Sequence, residues 1–185
     1  MSDTTQAIAD LTGDYAIDPA HTRIGFIARH AMVTKVRGAF TAFEGTVHLD
    51  EQDPAQSAAQ ITIKATSIDT GNPDRDGHLR SNDFLAMDEF PEITFTSTSA
   101  KKVGDTDYQV TGDLTVKGVT APVTIDFEFQ GSAKDPFGNL RAGFEGKAQI
   151  NRKDFGVTFN APLETGGVLV GEKVTLEFDV SLIRA

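Results

Sequence analysis

Apolar residues occupy every second position in much of this chain, and this period-two pattern constrains the fold more than any other feature. It runs through PVTIDFEFQ (122–130) and again through KVTLEFDVSLI (173–183). Successive side chains of a strand point to opposite faces, so each segment has one apolar and one polar face. Similar segments at residues 14–17, 22–30, 39–49, 61–63, 93–95, 108–116 and 140–150 bring the prediction to about eight to ten strand segments.

Strands with a single apolar face must bury that face, either in a sandwich or in a closed barrel. A barrel of about eight strands is just wide enough to be filled by side chains or to hold one ligand. Two segments depart from the alternation. We expect about two helical turns in AMVTKVRG (31–38), and a helix from Asp76 to Phe84 that stops before Pro91. We interpret residues 11–185 as one domain behind a flexible tail, residues 1–10.

The overall charge excludes several classes of partner. The 185 residues include 27 acidic and 17 basic ones, a formal net charge of −10. Nucleic-acid binding depends on neutralising phosphates with Lys and Arg, so we expect no nucleic-acid partner. The same net charge would repel an anionic membrane surface. The N-terminal residues lack the basic and apolar regions of a signal peptide, and no apolar run is long enough to span a bilayer. The sequence therefore predicts a cytoplasmic protein without a transmembrane segment.

The residue types of catalytic and metal sites are present without the spacing that such sites need. No pair among His21, His30, His48 and His78 is two or four residues apart, as strand or helix metal ligands would be. The chain has no Cys and no GxSxG nucleophile motif. We predict no catalytic residue, no metal site and no cofactor other than a bound lipid.

The inward faces of the predicted strands have two interpretations. Their side chains could simply fill the core, or they could line a cavity, with small residues such as Gly112, Gly146 and Ala148 leaving room for a ligand. The alternation does not decide between these interpretations. The candidate lining residues are Ile24, Phe26, Ala28, Ile61, Ile63, Phe84, Phe95, Val110, Leu114, Phe127, Phe144 and Ile150.

Four polar residues are candidates for the mouth of such a cavity. Arg75 and Arg152 lie beside acidic residues near strand ends, and ordinary ion pairing is the simpler explanation for both. The functional alternative places them at the barrel mouth with His30 and His78, where an arginine fork can bind the polar head of a ligand.

Five segments in order along the chain resemble the YceI-like family of lipocalin-like, polyisoprenoid-binding proteins. They are IDPAHTRIGFIARH, VRGAFTAFEGTV, ATSIDTGNPDRDGHLRSNDFLAMDEFPEITFTS, VTGDLTVKGVTAPVTI and FGNLRAGFEGKAQINRKDFGV. The resemblance covers roughly residues 14 to 182. It implies an all-β fold: an extended antiparallel up-and-down, lipocalin-like β-barrel of about eight strands with one or two short helices.

The resemblance also implies a function. It predicts that a long internal apolar channel binds, transports or stores a long-chain amphiphilic lipid: a polyisoprenoid, an isoprenoid quinone or a fatty-acid derivative. It further implies a homodimer. Two alternatives remain open. One is an enzyme acting on a lipid through a His and an acid such as Asp69 or Asp76, and the other is a filled-core dimeric interaction or stress protein without ligand.

Overall fold

A closed antiparallel β-barrel dominates the computed structural model, which describes residues 10–31, 33–161, 163 and 170–185. The predicted tail lies almost entirely outside the described residues. The strands are β1 (Gly13–Ile17), β2 (Arg23–His30), β3 (Thr34–Phe40), β4 (Phe43–Leu49), β5 (Ala58–Lys64), β6 (Ile68–Asp69), β7 (Glu92–Lys102), β8 (Asp107–Val116), β9 (Val119–Lys134), β10 (Leu140–Asn151) and β11 (Lys173–Arg184). One α-helix, α1 (Pro73–Arg80), follows β6.

These eleven segments form eight barrel strands, because three of the strands are interrupted. β1 and β2 pair with β4 and β3 on one side and with successive parts of β11 on the other. β5 and β6 are likewise two parts of one barrel strand: β5 pairs with β4, and β6 pairs with β3. Each further strand pairs antiparallel with its neighbour in sequence up to β11, which closes the ring against β1 and β2. The predicted up-and-down barrel of about eight strands is confirmed.

The interruptions have local causes. Asp18 caps a short 3₁₀ turn, Pro19–His21, by accepting a hydrogen bond from the Ala20 amide at 3.0 Å, and Pro19 favours the turn's start. On the neighbouring strand, the chain leaves the ladder between Phe40 and Phe43. Because of this break, Phe40 and Phe43 both pack against the core although they are an odd number of residues apart.

The helix predicted over residues 31–38 is wrong. Residues 34–40 form β3, which pairs with β2 from His30↔Thr34 to Ile24↔Phe40. Val33, Thr34 and Val36 are β-branched, a class that loses side-chain freedom in a helix and packs well on a sheet. The second predicted helix exists but lies earlier, at Pro73–Arg80, because Asn72 caps it by accepting from the Arg75 amide at 3.1 Å.

The barrel interior is divided into two halves. At the end away from α1, aromatic rings of β8, β9 and β10 pack on one another, with centroids 5.3 Å apart for Phe129 and Phe144 and 6.4 Å for Phe127 and Phe144. Tyr108 joins this cluster, and Leu182 of β11 is fully buried there. We call this end the filled half and the other the α1 half. The site described next lies in the α1 half.

Candidate functional site

A cavity of about 190 Å³ occupies the α1 half of the barrel. Its walls are the inward-facing side chains at the ends of the strands that meet at this end, and its cover comes from α1 and the segment that follows it. Ten predicted site residues line it: Ile24, Phe26, Ala28, Ile61, Ile63, Phe84, Phe95, Leu114, Ile150 and Arg152. Arg152 is the one charged residue among its described lining residues.

The other six predicted residues lie outside the lining. Phe127 and Phe144 belong to the aromatic cluster of the filled half, and Val110 packs against the core without lining the cavity. His30 is exposed at the end of β2, while Arg75 and His78 lie on α1. The cavity is thus shorter than the channel that the resemblance implies.

Several lining residues are absent from the sequence-based prediction. On the strands they continue the alternation that identified the others, so Val116, Val123 and Leu176 could have been found by following it to the strand ends. Apart from Leu79 on α1, the rest come from irregular segments, where no periodicity marks an inward side chain. These are Leu85, Phe155, Val157 and Val170.

The cavity is large enough for part of a hydrocarbon chain. An engineered protein cavity of about 150 Å³ lined by Leu, Ile and Phe stays dry and binds benzene. The cavity of this barrel is somewhat larger and is lined by the same kinds of side chain. It can therefore hold a short apolar segment without water, while the remainder of a longer molecule would extend beyond it.

Phenylalanine rings lie directly against several glycines of the wall. The space for a ligand that we expected at these glycines is therefore occupied by side chains. A Cβ on Gly146 would lie 2.5 Å from the Phe127 ring, and one on Gly112 would lie 2.5 Å from the Phe95 ring. Phe26 covers Gly38 in the same way. The aromatic side chains pack flat against the wall at these points, and the cavity is the space that remains between the rings.

Arg152 organises the chain at the cavity wall. Its guanidinium donates from Nε to the carbonyl of Gly171 at 2.9 Å, from Nη1 to Val157 at 2.7 Å and from Nη2 to Val170 at 3.2 Å. The residue is only 5% exposed, and burial lowers the pKa of Arg152. Because its three donors hold backbone carbonyls, the guanidinium fixes the shape of the wall.

An aromatic cluster lies beside the cavity at the α1 end. The rings of His78, Phe84 and Phe159 are in mutual edge-to-face contact, with centroids 5.0 to 5.1 Å apart. His78 Nε2 also lies 2.8 Å from Oδ2 of Asp83. The cluster joins α1, which carries His78, to the segment after β10, which carries Phe159. Because Phe84 lines the cavity, this connection lies next to the cavity.

Arg75 serves the connection between β6 and α1. It donates from Nε to the Thr70 hydroxyl at 2.7 Å and from Nη2 to the Thr70 carbonyl at 2.9 Å. Asp76 is buried and accepts from the Thr70 amide at 2.9 Å. These bonds hold the start of α1 against the barrel.

Histidine–aspartate pairs occur, but none of their residues belongs to the described lining of the cavity. Besides His78 and Asp83, His21 lies 2.7 Å from Asp18, and His48 lies 2.7 Å from Asp14. Within the described residues, no three His, Cys, Asp or Glu side chains are grouped so that they could hold a metal ion. None of the helices among the described residues is long and apolar enough to cross a membrane.

Comparison with known proteins gives consistent matches. Residues 15–182 match the family described as the YceI-like domain. Protein YceI of Escherichia coli is 45% identical over 149 residues, which cover 80% of this chain and 78% of that protein.

Two solved structures share the fold. Burkholderia cenocepacia BcnA superimposes with a TM-score of 0.79 at 27% identity, covering 89% of this chain and 98% of BcnA. A polyisoprenoid binding domain from Saccharophagus degradans, implicated in plant cell wall breakdown, has a TM-score of 0.68 at 16% identity, covering 92% of this chain and 98% of that domain.

Proposed function

The chain belongs to the YceI-like family, and we propose that its barrel binds the hydrocarbon chain of an amphiphilic lipid, as a carrier or store. The observation that carries this proposal is the cavity of the α1 half, whose lining is apolar except for Arg152. Such a surface favours hydrocarbon over water.

The energetics are sufficient for retention. Each methylene removed from water contributes about 0.8 kcal/mol, so five methylenes would contribute about 4 kcal/mol before the entropic cost of binding. The cavity volume suits a segment of that order, with the head group of the lipid outside. The polyisoprenoid binding domain of Saccharophagus degradans has the same fold, which makes a prenyl chain the first ligand to test.

A carrier fits the chemistry of the lining better than an enzyme does. General acid–base catalysis needs a titratable group within hydrogen-bond reach of the reacting atoms. The pairs His21–Asp18, His48–Asp14 and His78–Asp83 all lie outside the described lining of the cavity. Arg152 donates to three carbonyls, and a guanidinium cannot give up its proton at neutral pH.

The test compares two tryptophan variants at neighbouring positions of β2. Ala28→Trp places an indole in the cavity, whereas Ile27→Trp places it on the opposite face of the strand. Displacement of a polarity-sensitive dye by geranylgeraniol would report binding. We expect Ile27→Trp to bind like the unmodified protein and Ala28→Trp to lose most of its affinity. Equal binding by both folded variants would contradict the proposed cavity.

A further inference from the structure

One hairpin of this acidic protein carries basic residues and no acidic ones. Residues 19–43 contain four of the 17 Lys and Arg residues and none of the 27 acidic ones. The four basic side chains, Arg23, Arg29, Lys35 and Arg37, are all exposed on β2 and β3. The net charge of the chain therefore does not describe the field at this hairpin.

The hairpin extends beyond the barrel rim. On one side, the ladder between β2 and β11 ends at Ile27↔Thr175, and only an isolated bridge from His30 to Val170 follows. On the other side, β3 pairs with β6 only at Ala39 and Phe40. Residues 34–38 consequently have no described strand paired with them on the side away from β2.

Two basic residues of the hairpin are placed in an electrostatically unfavourable way. Arg29 and Lys35 lie directly opposite each other in the β2–β3 ladder, and like charges in that arrangement are destabilising. Arg37 lies 3.9 Å from Glu177, but no salt bridge joins Arg29 or Lys35 to a residue that the structure describes. The two charges are thus available to an external anion.

An apolar side chain marks the tip of the same hairpin. Val33 is 74% exposed. An exposed apolar residue flanked by cations is the arrangement that interfacial segments use at anionic lipid surfaces. The hairpin also belongs to the cavity wall, because Phe26 and Ala28 line the cavity from β2.

We infer that the β2–β3 hairpin docks the protein on an anionic phospholipid surface, with Arg29 and Lys35 against the head groups and Val33 at the interface. The hairpin thus differs in charge from α1 and the segment that follows it, which carry the exposed residues Asp74, Asp83 and Asp88. That asymmetry would turn the hairpin toward the surface. The biological purpose of this docking, transfer of a lipid between bilayer and cavity, rests on the proposed function, whereas the docking itself can be tested independently.

The test is sedimentation with vesicles of phosphatidylcholine alone and of phosphatidylcholine mixed with phosphatidylglycerol in equal parts. We expect the protein to bind only the anionic vesicles and to be released by salt, since surface attraction is screened within a Debye length. The variant Arg29→Gln/Lys35→Gln should bind roughly 10- to 30-fold more weakly, because each basic residue near such a surface contributes about a fivefold effect. Val33→Ser should also weaken binding.

Matched controls lie at the other end of the barrel. Lys101→Gln/Lys134→Gln removes the same charge from the far ends of β7 and β9, and Phe137→Ser removes an apolar side chain that is 89% exposed. Both should bind anionic vesicles like the unmodified protein. Failure of the unmodified protein to bind, equal binding to neutral vesicles, or equal loss in the hairpin and control variants would overturn the inference. Geranylgeraniol binding by the hairpin variants, measured in detergent-free solution, tests the cavity separately from the docking. Variants that lose vesicle binding but still bind geranylgeraniol would have an intact cavity.

Discussion

The guanidinium of Arg141 lies 2.7 Å from the carboxylate of Asp18, 123 residues away in sequence. Arg141 is on β10 and Asp18 follows β1, so the pair reaches across β11 at the seam where the barrel closes. Arg141 also binds Asp135 through Nε at 2.8 Å. One arginine thereby joins the closing strand's two neighbours and the β9–β10 turn.

This seam predicts a specific pH dependence of stability. The hydrogen bond from Arg141, followed by that from His21, lowers the pKa of Asp18 from 3.8 to about 2. A carboxylate whose folded pKa is depressed stabilises the fold above its unfolded pKa and loses that contribution as pH falls toward the folded one. We expect the free energy of unfolding to fall between about pH 4 and pH 2, and Asp18→Asn to remove part of this slope while lowering Tm at neutral pH by several degrees.

Urea titrations of Asp18→Asn, Arg141→Gln and the double variant at several pH values would measure this. The double variant should lose less stability than the sum of the single ones, because the two residues share one interaction. Additive losses would mean that the pair contributes little to closing the barrel.

The packing of rings on glycines predicts an unequal response within one strand. Gly146→Ala puts a methyl group into the Phe127 ring, whereas a Cβ on Gly143 meets nothing closer than 3.8 Å. Overpacking of a core costs about 1–3 kcal/mol. Chemical denaturation should show that loss for Gly146→Ala and little change for Gly143→Ala. If the two alanines were equally tolerated, Phe127 would not be packed as described.

The hydrogen bonds of Arg152 predict that its shape matters more than its charge. Arg152→Met would leave the carbonyls of Val157 and Gly171 without this donor, while the Val170 carbonyl would keep its bond from Asn160 Nδ2, and we expect a loss of about 2–3 kcal/mol in the free energy of unfolding. Arg152→Lys keeps the charge but cannot reproduce the planar fork, so it should recover little. Full stability in the Lys variant would contradict this account of the wall.

Alternation predicted the barrel because it reports which face a side chain occupies, but it does not report depth along the barrel. Leu114 and Val110 share the inward face of β8, yet only Leu114 lines the cavity. Alternation makes Phe127 a lining candidate, but the neighbouring strand β10 places the Phe144 ring beside it. Which half is filled depends on ring contacts between strands, and these contacts follow from register.

Other features were missed for different physical reasons. The sequence predicts a helix over residues 31–38 because short apolar segments satisfy both periodicities, and pairing with β2 makes residues 34–40 a strand. Net charge suggested repulsion from anionic surfaces, but a sum over the chain does not show that residues 19–43 lack acids. The contribution of Val157 and Leu85 to the lining depends on how irregular segments fold over the barrel end.

Native mass spectrometry of the gently purified full-length chain tests the central claim most directly. We predict a discrete bound mass that organic extraction identifies as a lipid with a long hydrocarbon chain. It should be present in the unmodified protein and in Ile27→Trp, and absent from Ala28→Trp. A folded, unmodified protein that carried no lipid and took up no added geranylgeraniol would contradict the claim.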